Sequence, residues 1–378
     1  MELVLKEVAT RKDMHEFVFL PEKIHKGHDN WLPPIYHDEF NFFDIRKNPS
    51  FNYCDSLLLL VKKDGKTVGR IMGLIHHKHN TLFNLKNTRF GYLECYEDTE
   101  VFQALIQAVE DWGREKGMDT LIGPYGFSDK DVQGFQISGY DEEPVIDSAC
   151  NFPYMVGYME RAGFTKEADC ICSRYDLNSP LPEIYSLILQ RVTTRDKFEF
   201  LEFTSRKQLK PYIIPVFETV NDAFRHIYGF VPMDDKEMKA MAKQYMPVID
   251  PRFVKVITFE KKVIGFIIGL PSLTKGIQKA KGRLFPFGFF HVMKAMRNAT
   301  KLDLMLGAIR PEYQKNGLDL FLSVSIIETA KKLDFTVMDT HLVLEENNPM
   351  KAEISRFGAK EIKRFRIYRK ALQTVTEK

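Results

Sequence analysis

The stretch RPEYQKNGLDL, residues 310–320, follows an alternating run of Leu302, Leu304, Leu306 and Ala308 and leads into an amphipathic run that starts near Leu318. A strand, a tight loop and a helix N-terminus bring several backbone N–H groups and the positive end of the helix dipole to one point. That chemistry suits a phosphate or pyrophosphate. Downstream, VMDTHLVLEENNPM (337–350) places Asp339 and His341 two apart on a strand, hence on one face and ~7 Å apart. The pair suits a general base and its orienter, or His341 is a core or rim histidine. Glu345 follows at the strand end, where a carboxylate either opens toward a cleft or is solvated. Asn347 or Asn348 is placed to cap the next helix. His77 and His79 share a face if IHHKHN continues a strand, but no third ligand follows nearby, and Cys170 and Cys172 are too close for a zinc knuckle. No metal is expected.

The elements that must position these groups occur twice. SLLLLVKKDGKTVGRIMGLIHH (56–77) and FVKVITFEKKVIGFIIGLPS (253–272) both read as strand, charged turn, strand. Each hairpin is followed by a strand, an amphipathic helix, another strand and a short helix that ends at a glycine. Phe102, Leu105, Ile106, Val109, Trp112 and Gly113 form the apolar face of the first helix; Leu320, Phe321, Val324 and Ile327, with or without Ile326, form that of the second. Gly163 in YMERAGF and Gly358 in ISRFGAK have the spacing of helix C-caps. Gly69 and Gly265 are 196 residues apart and Gly163 and Gly358 are 195 apart, so two similar units lie head to tail, with LNSPLPE (177–183) as the linker. The element order implies α/β architecture, a mixed sheet with one long helix crossing over from the fourth strand to the fifth. Ligands of such sheets bind at the carboxyl ends of strands.

The bulk properties fit a chain of two cores. It has 378 residues, 44% apolar and 28% charged, with a formal net charge of only +3, so nucleic acid is not an expected partner. MELVLKEVATRKD interrupts its apolar stretch with Glu2 and Lys6, so a secretory leader is not expected, and SLLLLV is far short of the ~20 apolar residues that span a bilayer. Five cysteines, an odd number, argue for reduced thiols and a cytoplasmic location. One segment is unusual. Residues 275–301, KGIQKAKGRLFPFGFFHVMKAMRNATK, hold seven Lys or Arg, no acid, and four Phe within six residues. It could gate an acyl tunnel, bind nucleotide phosphates, make peripheral contact with an anionic membrane, or pack as a helix with a solvated basic face.

Gln314, Lys315, Asn316, Gly317, Leu318 and Asp319 resemble the pyrophosphate loop of the GNAT superfamily of acyl-CoA-dependent N-acyltransferases, which reads Gln or Arg, two residues, Gly, one residue, then Gly or Ala. Pro311, Glu312 and Tyr313 resemble that family's strand-to-loop junction. The likeness covers 198–370 in element order and loop, and the first 176 residues in element order alone. It implies two tandem GNAT-like mixed β-sheet domains flanked by helices. Residues 1–180 form one without the loop, since YEDTEVFQ (96–103) puts Glu97, Asp98 and Glu100 where phosphates would lie; residues 181–378 form one with an acyl-CoA site.

The resemblance further implies acetyl-CoA or another acyl-CoA as co-substrate, with the amides of Gly307, Ala308 and Ile309 holding the thioester oxygen and pantetheine. Glu345 or His341 would take the acceptor's proton, and Asn347 would cap its helix or contact the cofactor or substrate. The family's general-acid Tyr falls at Ile354 here. Tyr368 on the last strand fills that role, or the thiolate leaves without an acid. Asp319 replaces the family's small residue and either faces the pyrophosphate or turns away and favours the helix's first turn. The implied activity is transfer of an acetyl or longer acyl group to a small-molecule or peptide amine. Tandem units also resemble N-myristoyltransferases and the Fem-type aminoacyl transferases. A non-catalytic CoA-binding module is the remaining alternative.

Overall fold

The computed structural model describes residues 2–183, 185, 189–190 and 198–372. The chain forms two compact units. The first comprises residues 1–170, 277–291 and 363–378, and the second 171–276 and 292–362.

In the first unit β1 (Leu3–Glu7), α1 (Arg11–Ile24) and α2 (Tyr36–Phe42) precede the hairpin β2 (Cys54–Lys63) and β3 (Lys66–His76). Then come α3 (His77–Phe83), β4 (Asn87–Cys95), the crossover helix α4 (Thr99–Glu115), β5 (Thr120–Gly123), β6 (Phe135–Ser138), α5 (Tyr154–Arg161) and β7 (Thr165–Asp176), whose residues from Ile171 onward belong to the second unit. The strands run β1-β2-β3-β4-β5, antiparallel except for the parallel β4–β5 pair that the crossover requires. The chain's last strand, β14 (Lys360–Ala371), completes this unit by pairing antiparallel with β5, Tyr368 opposite Gly123.

Val101, Phe102, Leu105, Ile106 and Val109 of α4 are buried against Leu59, Val61, Ile71 and Phe90 of the sheet, as the helical spacing predicts. Gly69 makes that approach possible. A Cβ there would lie 2.7 Å from Val101 Cγ1.

The second unit repeats the plan with β8 (Phe198–Glu202), α6 (Ile213–Ala223), α7 (Asp235–Tyr245), β9 (Val254–Phe259), β10 (Lys262–Pro271), β11 (Lys301–Ile309), the crossover helix α10 (Leu318–Lys332), β12 (Val337–Thr340), β13 (Val343–Leu344) and α11 (Asn348–Arg356); between β10 and β11 the chain forms α8 (Thr274–Ala280) and α9 (Gly288–Arg297), of which residues 277–291 belong to the first unit. Its strands are ordered β12-β11-β10-β9-β8, with β11–β12 the parallel pair. Gly269 allows a similarly close approach here, since a Cβ there would meet Ile326 Cδ1 of α10 at 2.9 Å.

Gly163 and Gly358 sit just beyond α5 and α11 with φ of +82° and +74°, and the amides after them turn back to Met159 and Ile354, as the cap reading predicts. All five cysteines are free thiols.

Two local expectations are corrected. IHHKHN does not continue a strand: His77 opens a helix, capped by the His76 ring, so His77 and His79 no longer share a face. His77 pairs with Asp55 at 3.1 Å, while burial holds His79 down to about 4, in its neutral form. On α10 the fully buried positions are Leu318, Leu322, Val324, Ile326, Ile327 and Ala330, whereas Leu320 and Phe321 are only half-buried. The face is shifted because α10 packs Leu322 and Ile326 into the sheet core, leaving Phe321 to stack on Phe200 at 3.8 Å between ring centroids.

The N-terminus of α4 satisfies itself. The Asp98 carboxylate accepts from the amides of Glu100 at 3.0 Å and Val101 at 3.3 Å, and Lys63 Nζ stands 2.6 Å away. The bond from Lys63, with the cap amides, holds Asp98 below the ordinary carboxylate range. A depressed folded-state value means the stabilisation is present at neutral pH and lost as pH falls through that value. Asp98→Ala should therefore cost about 1 kcal/mol at neutral pH and progressively less in acid, read by denaturant unfolding across pH. An equal cost at both ends would contradict the assignment.

Candidate acyl-donor site

The candidate site of the second unit starts at a fork. β11 and β12 pair over four residues only, from Lys301 opposite Val337 to Leu304 opposite Thr340, and the last bond across is from His341 N to Leu304 O at 3.0 Å. The chain then leaves β11 for the short strand β13, Val343–Leu344. β11 continues to Ile309, paired on its other side with β10, and its register slips at Met305. One edge of residues 305–309 is thereby released from β12. Gly307 within it is exposed, Ile309 half-buried and Ala308 buried.

The loop after this edge is anchored at its start. Arg310 N donates to Ile264 O at 2.8 Å, and its guanidinium bonds Val263 O at 2.8 Å and the Asp222 carboxylate. A single 3-10 turn, Pro311–Tyr313, leads to the exposed Gln314, Lys315 and Asn316. Gln314 Nε2 folds back to Ile309 O at 3.1 Å, and Asn316 Nδ2 reaches Tyr313 O at 3.3 Å. Gly317 is the N-cap residue at φ +76°, a left-handed backbone that glycine adopts without strain. It has no side chain to accept from the first-turn amides, so the N–H groups of Leu318, Asp319 and Leu320, which have no intrahelical acceptor by geometry, receive no side-chain cap. Here the helix N-terminus stays open where α4 is closed by Asp98.

The same fork exists in the first unit and is filled. β4 and β5 pair from Asn87 to Arg89. Beyond that Tyr125 N bonds Phe90 O at 2.7 Å, and Arg89 Nη1 donates to Gly126 O and Phe127 O at 3.1 and 3.0 Å, so backbone of 124–127 lies along the β4 edge. A Cβ on Gly91 would stand 3.2 Å from Tyr125 O.

The other sequence candidates are distributed as follows. His341 is half-exposed at the fork, and Glu345 is half-buried beyond β13. Asp339 is fully buried, and both its oxygens accept from Arg174, at 2.7 and 2.8 Å, with Lys301 Nζ 3.8 Å away. Asn347 caps α11, accepting from Met350 N at 3.2 Å. Tyr368 belongs to the core of the first unit, with its hydroxyl buried and unpartnered. Gly307, Ala308, Ile309, Gln314, Lys315, Asn316, Gly317, Leu318 and Asp319 are brought together as one strand edge and one loop.

Two groups escaped the sequence reading. Arg310, the loop's anchor, carries no motif that singles it out. Glu353 on α11 accepts a bond from Ser323 of α10. Burial pushes its carboxyl above the ordinary range, against the Ser323 bond and with the help of Asp319. Only their 30-residue separation and the helix phases place the two together, which no local pattern reveals. The first unit holds its own displaced set: Glu39 is pushed up to about 7 and Asp131 to about 6 by burial, while Arg70, 2.8 Å from Glu94, and His25 outweigh burial at Glu94 and hold it down.

A raised folded-state value for Glu353 means that its contribution is full in acid and lost as pH rises past the ordinary glutamate range. Glu353→Gln removes the cost of ionisation. The variant should gain stability relative to the parent as pH rises from acid to neutral, by thermal unfolding across pH; a pH-independent difference would refute the buried-acid description.

No protein-family model matches the chain. It is 26% identical over 384 residues to protein YghO of Escherichia coli (strain K12), covering 98% of this chain and 95% of that one. To the bacterial ceramide synthase of Caulobacter vibrioides (strain NA1000 / CB15N) it is 24% identical over 380 residues, 98% of each. Among solved structures, a tandem GNAT protein from the clavulanic acid biosynthesis pathway superposes with a TM-score of 0.56 at 12% identity, over 98% of this chain and 99% of that one. That likeness establishes the fold.

Proposed function

We propose that this chain, which has the tandem GNAT fold, uses its second unit to transfer an acyl group from acyl-CoA to the amine of a long-chain lipid base. The observation that carries the reading is the open N-terminus at Gly317 lying directly after a strand edge freed at the fork. The amides of the loop and first turn would hold the diphosphate. Those of Gly307 and Ile309, which strand alternation turns to the freed edge while Ala308 faces β10, would lie along pantetheine and the thioester oxygen, where donors fixed in advance stabilise charge that develops in the transition state.

The acceptor nitrogen attacks the thioester carbon, the C–S bond breaks, and the amine's proton passes to a base. His341, at the fork, and Glu345, just beyond it, are the groups assigned to receive that proton. Thiolate is an adequate leaving group near neutral pH, so no dedicated acid is needed and Ile354 at the family's Tyr position is no obstacle. Acetyl-CoA fits the same cradle, since the diphosphate is shared by all acyl-CoAs. The lipid acceptor and a longer acyl chain are supported by the full-length similarity to the protein named bacterial ceramide synthase; a ceramide is the amide of a long-chain amino alcohol. Peptide amines and other small amines are the competing acceptor class.

Incubating the purified chain with palmitoyl-CoA and a long-chain amino alcohol should release one thiol per amide formed, followed by mass spectrometry. Gly317→Glu should weaken acyl-CoA binding by at least about tenfold, because a carboxylate would enter the cradle beside the diphosphate. Gly317→Ala serves as the control for backbone cost, about 1 kcal/mol at a left-handed position, without the charge. Equal affinity of the Glu and Ala variants would overturn the site.

A further inference from the structure

Most of the chain's large apolar side chains are covered, yet four phenylalanines of one short segment are not. Phe285 is 78% exposed, Phe287 72%, Phe290 58% and Phe289 41%. A contiguous cluster of this kind marks an interaction surface rather than ordinary scatter. The segment is held, not loose. Gly282 O accepts from Tyr36 N at 3.1 Å, Gln278 Nε2 donates to Asp29 O and Trp31 O at 3.0 Å each, and Phe289 N closes a turn onto Leu284 O at 2.8 Å. Arg283 is locked by Glu22, with contacts of 2.7 and 3.0 Å, and its guanidinium lies over Tyr36 and Phe19, 4.9 and 5.2 Å from the ring centroids. The base of the loop is therefore fixed on α1 and α2 of the same unit, and its aromatic tip projects into solvent.

The charge around the tip selects the partner. Exposed Lys279 and Lys281 precede it, exposed Lys294 and Arg297 follow on the helix that Phe289 and Phe290 begin, and no acid occurs between residues 275 and 301. A second copy of this chain would bring like charge against like charge. An anionic bilayer supplies both complements: headgroups for the lysines and an acyl boundary into which Phe rings insert.

We propose that residues 279–290 form a docking surface for an anionic membrane, with Phe285, Phe287 and Phe290 entering the interface and Lys279 and Lys281 contacting headgroups. The proposal stands on this loop alone and does not depend on acyl transfer. It predicts reversible peripheral binding, since a few side chains and a basic fringe give an attachment that salt weakens.

The test is co-sedimentation of the full chain with phosphatidylcholine vesicles with and without phosphatidylglycerol. The parent should bind the anionic vesicles and lose most binding in high salt. The triple variant Phe285→Ser/Phe287→Ser/Phe290→Ser, at exposed positions that leave the core untouched, should bind about tenfold more weakly. Lys279→Glu/Lys281→Glu should lose the preference for phosphatidylglycerol. A Phe285→Trp reporter should shift its emission to the blue on vesicle addition. No binding by the parent, equal binding by the triple variant, or sedimentation as a dimer that the triple variant abolishes would each overturn the proposal.

Discussion

A helix N-terminus carries N–H groups that its own turns cannot satisfy, and the two units resolve that constraint in opposite ways. In α4 the Asp98 carboxylate accepts two of them, and Lys63 balances its charge. In α10 the cap position is Gly317, which brings no side-chain acceptor. A carboxylate caps the head of the first helix, and no side chain caps the head of the second. The identical plan of hairpin, crossover helix and parallel pair thus produces one closed end and one open end.

The fork beside each helix follows the same division. The parallel pair is short in both units, so the fourth strand continues past the end of the fifth. In the first unit the chain after β5 returns along that edge through Tyr125, and the buried Arg89 ties it down. In the second the chain after Thr340 makes one bond to Leu304 and departs to β13. β12 is held by backbone pairing with β11 and β7, and across the β7 pair the buried Asp339 takes two bonds from the Arg174 side chain. Removing one partner of such a pair would strand a buried charge, so Asp339 belongs to the scaffold that sets the fork.

Much of this was legible in the sequence because it depends on local pattern. The twofold repeat, the C-cap glycines at 163 and 358, the acid at the head of α4 and the glycine at the head of α10 are all readable from residue type and spacing. The misreadings share a cause. IHHKHN looked like alternation, but His76 caps a helix that starts immediately after it. The buried face of α10 departs from the expected one at its start, where Leu318 is buried and Leu320 and Phe321 are half-buried. Asp339 and His341 share a strand face by spacing, yet Arg174, a residue 165 positions away, takes the carboxylate. The pairing of Ser323 with Glu353 and the anchoring of Arg310 on Asp222 are likewise tertiary, and no periodicity encodes them.

Amide hydrogen exchange with and without CoA tests the central claim most directly, because the claim concerns particular backbone N–H groups. CoA should slow exchange in peptides covering 305–309 and 314–320 and leave those covering 96–101 unchanged. Unaltered exchange across 314–320, or protection at 96–101 instead, would contradict the account.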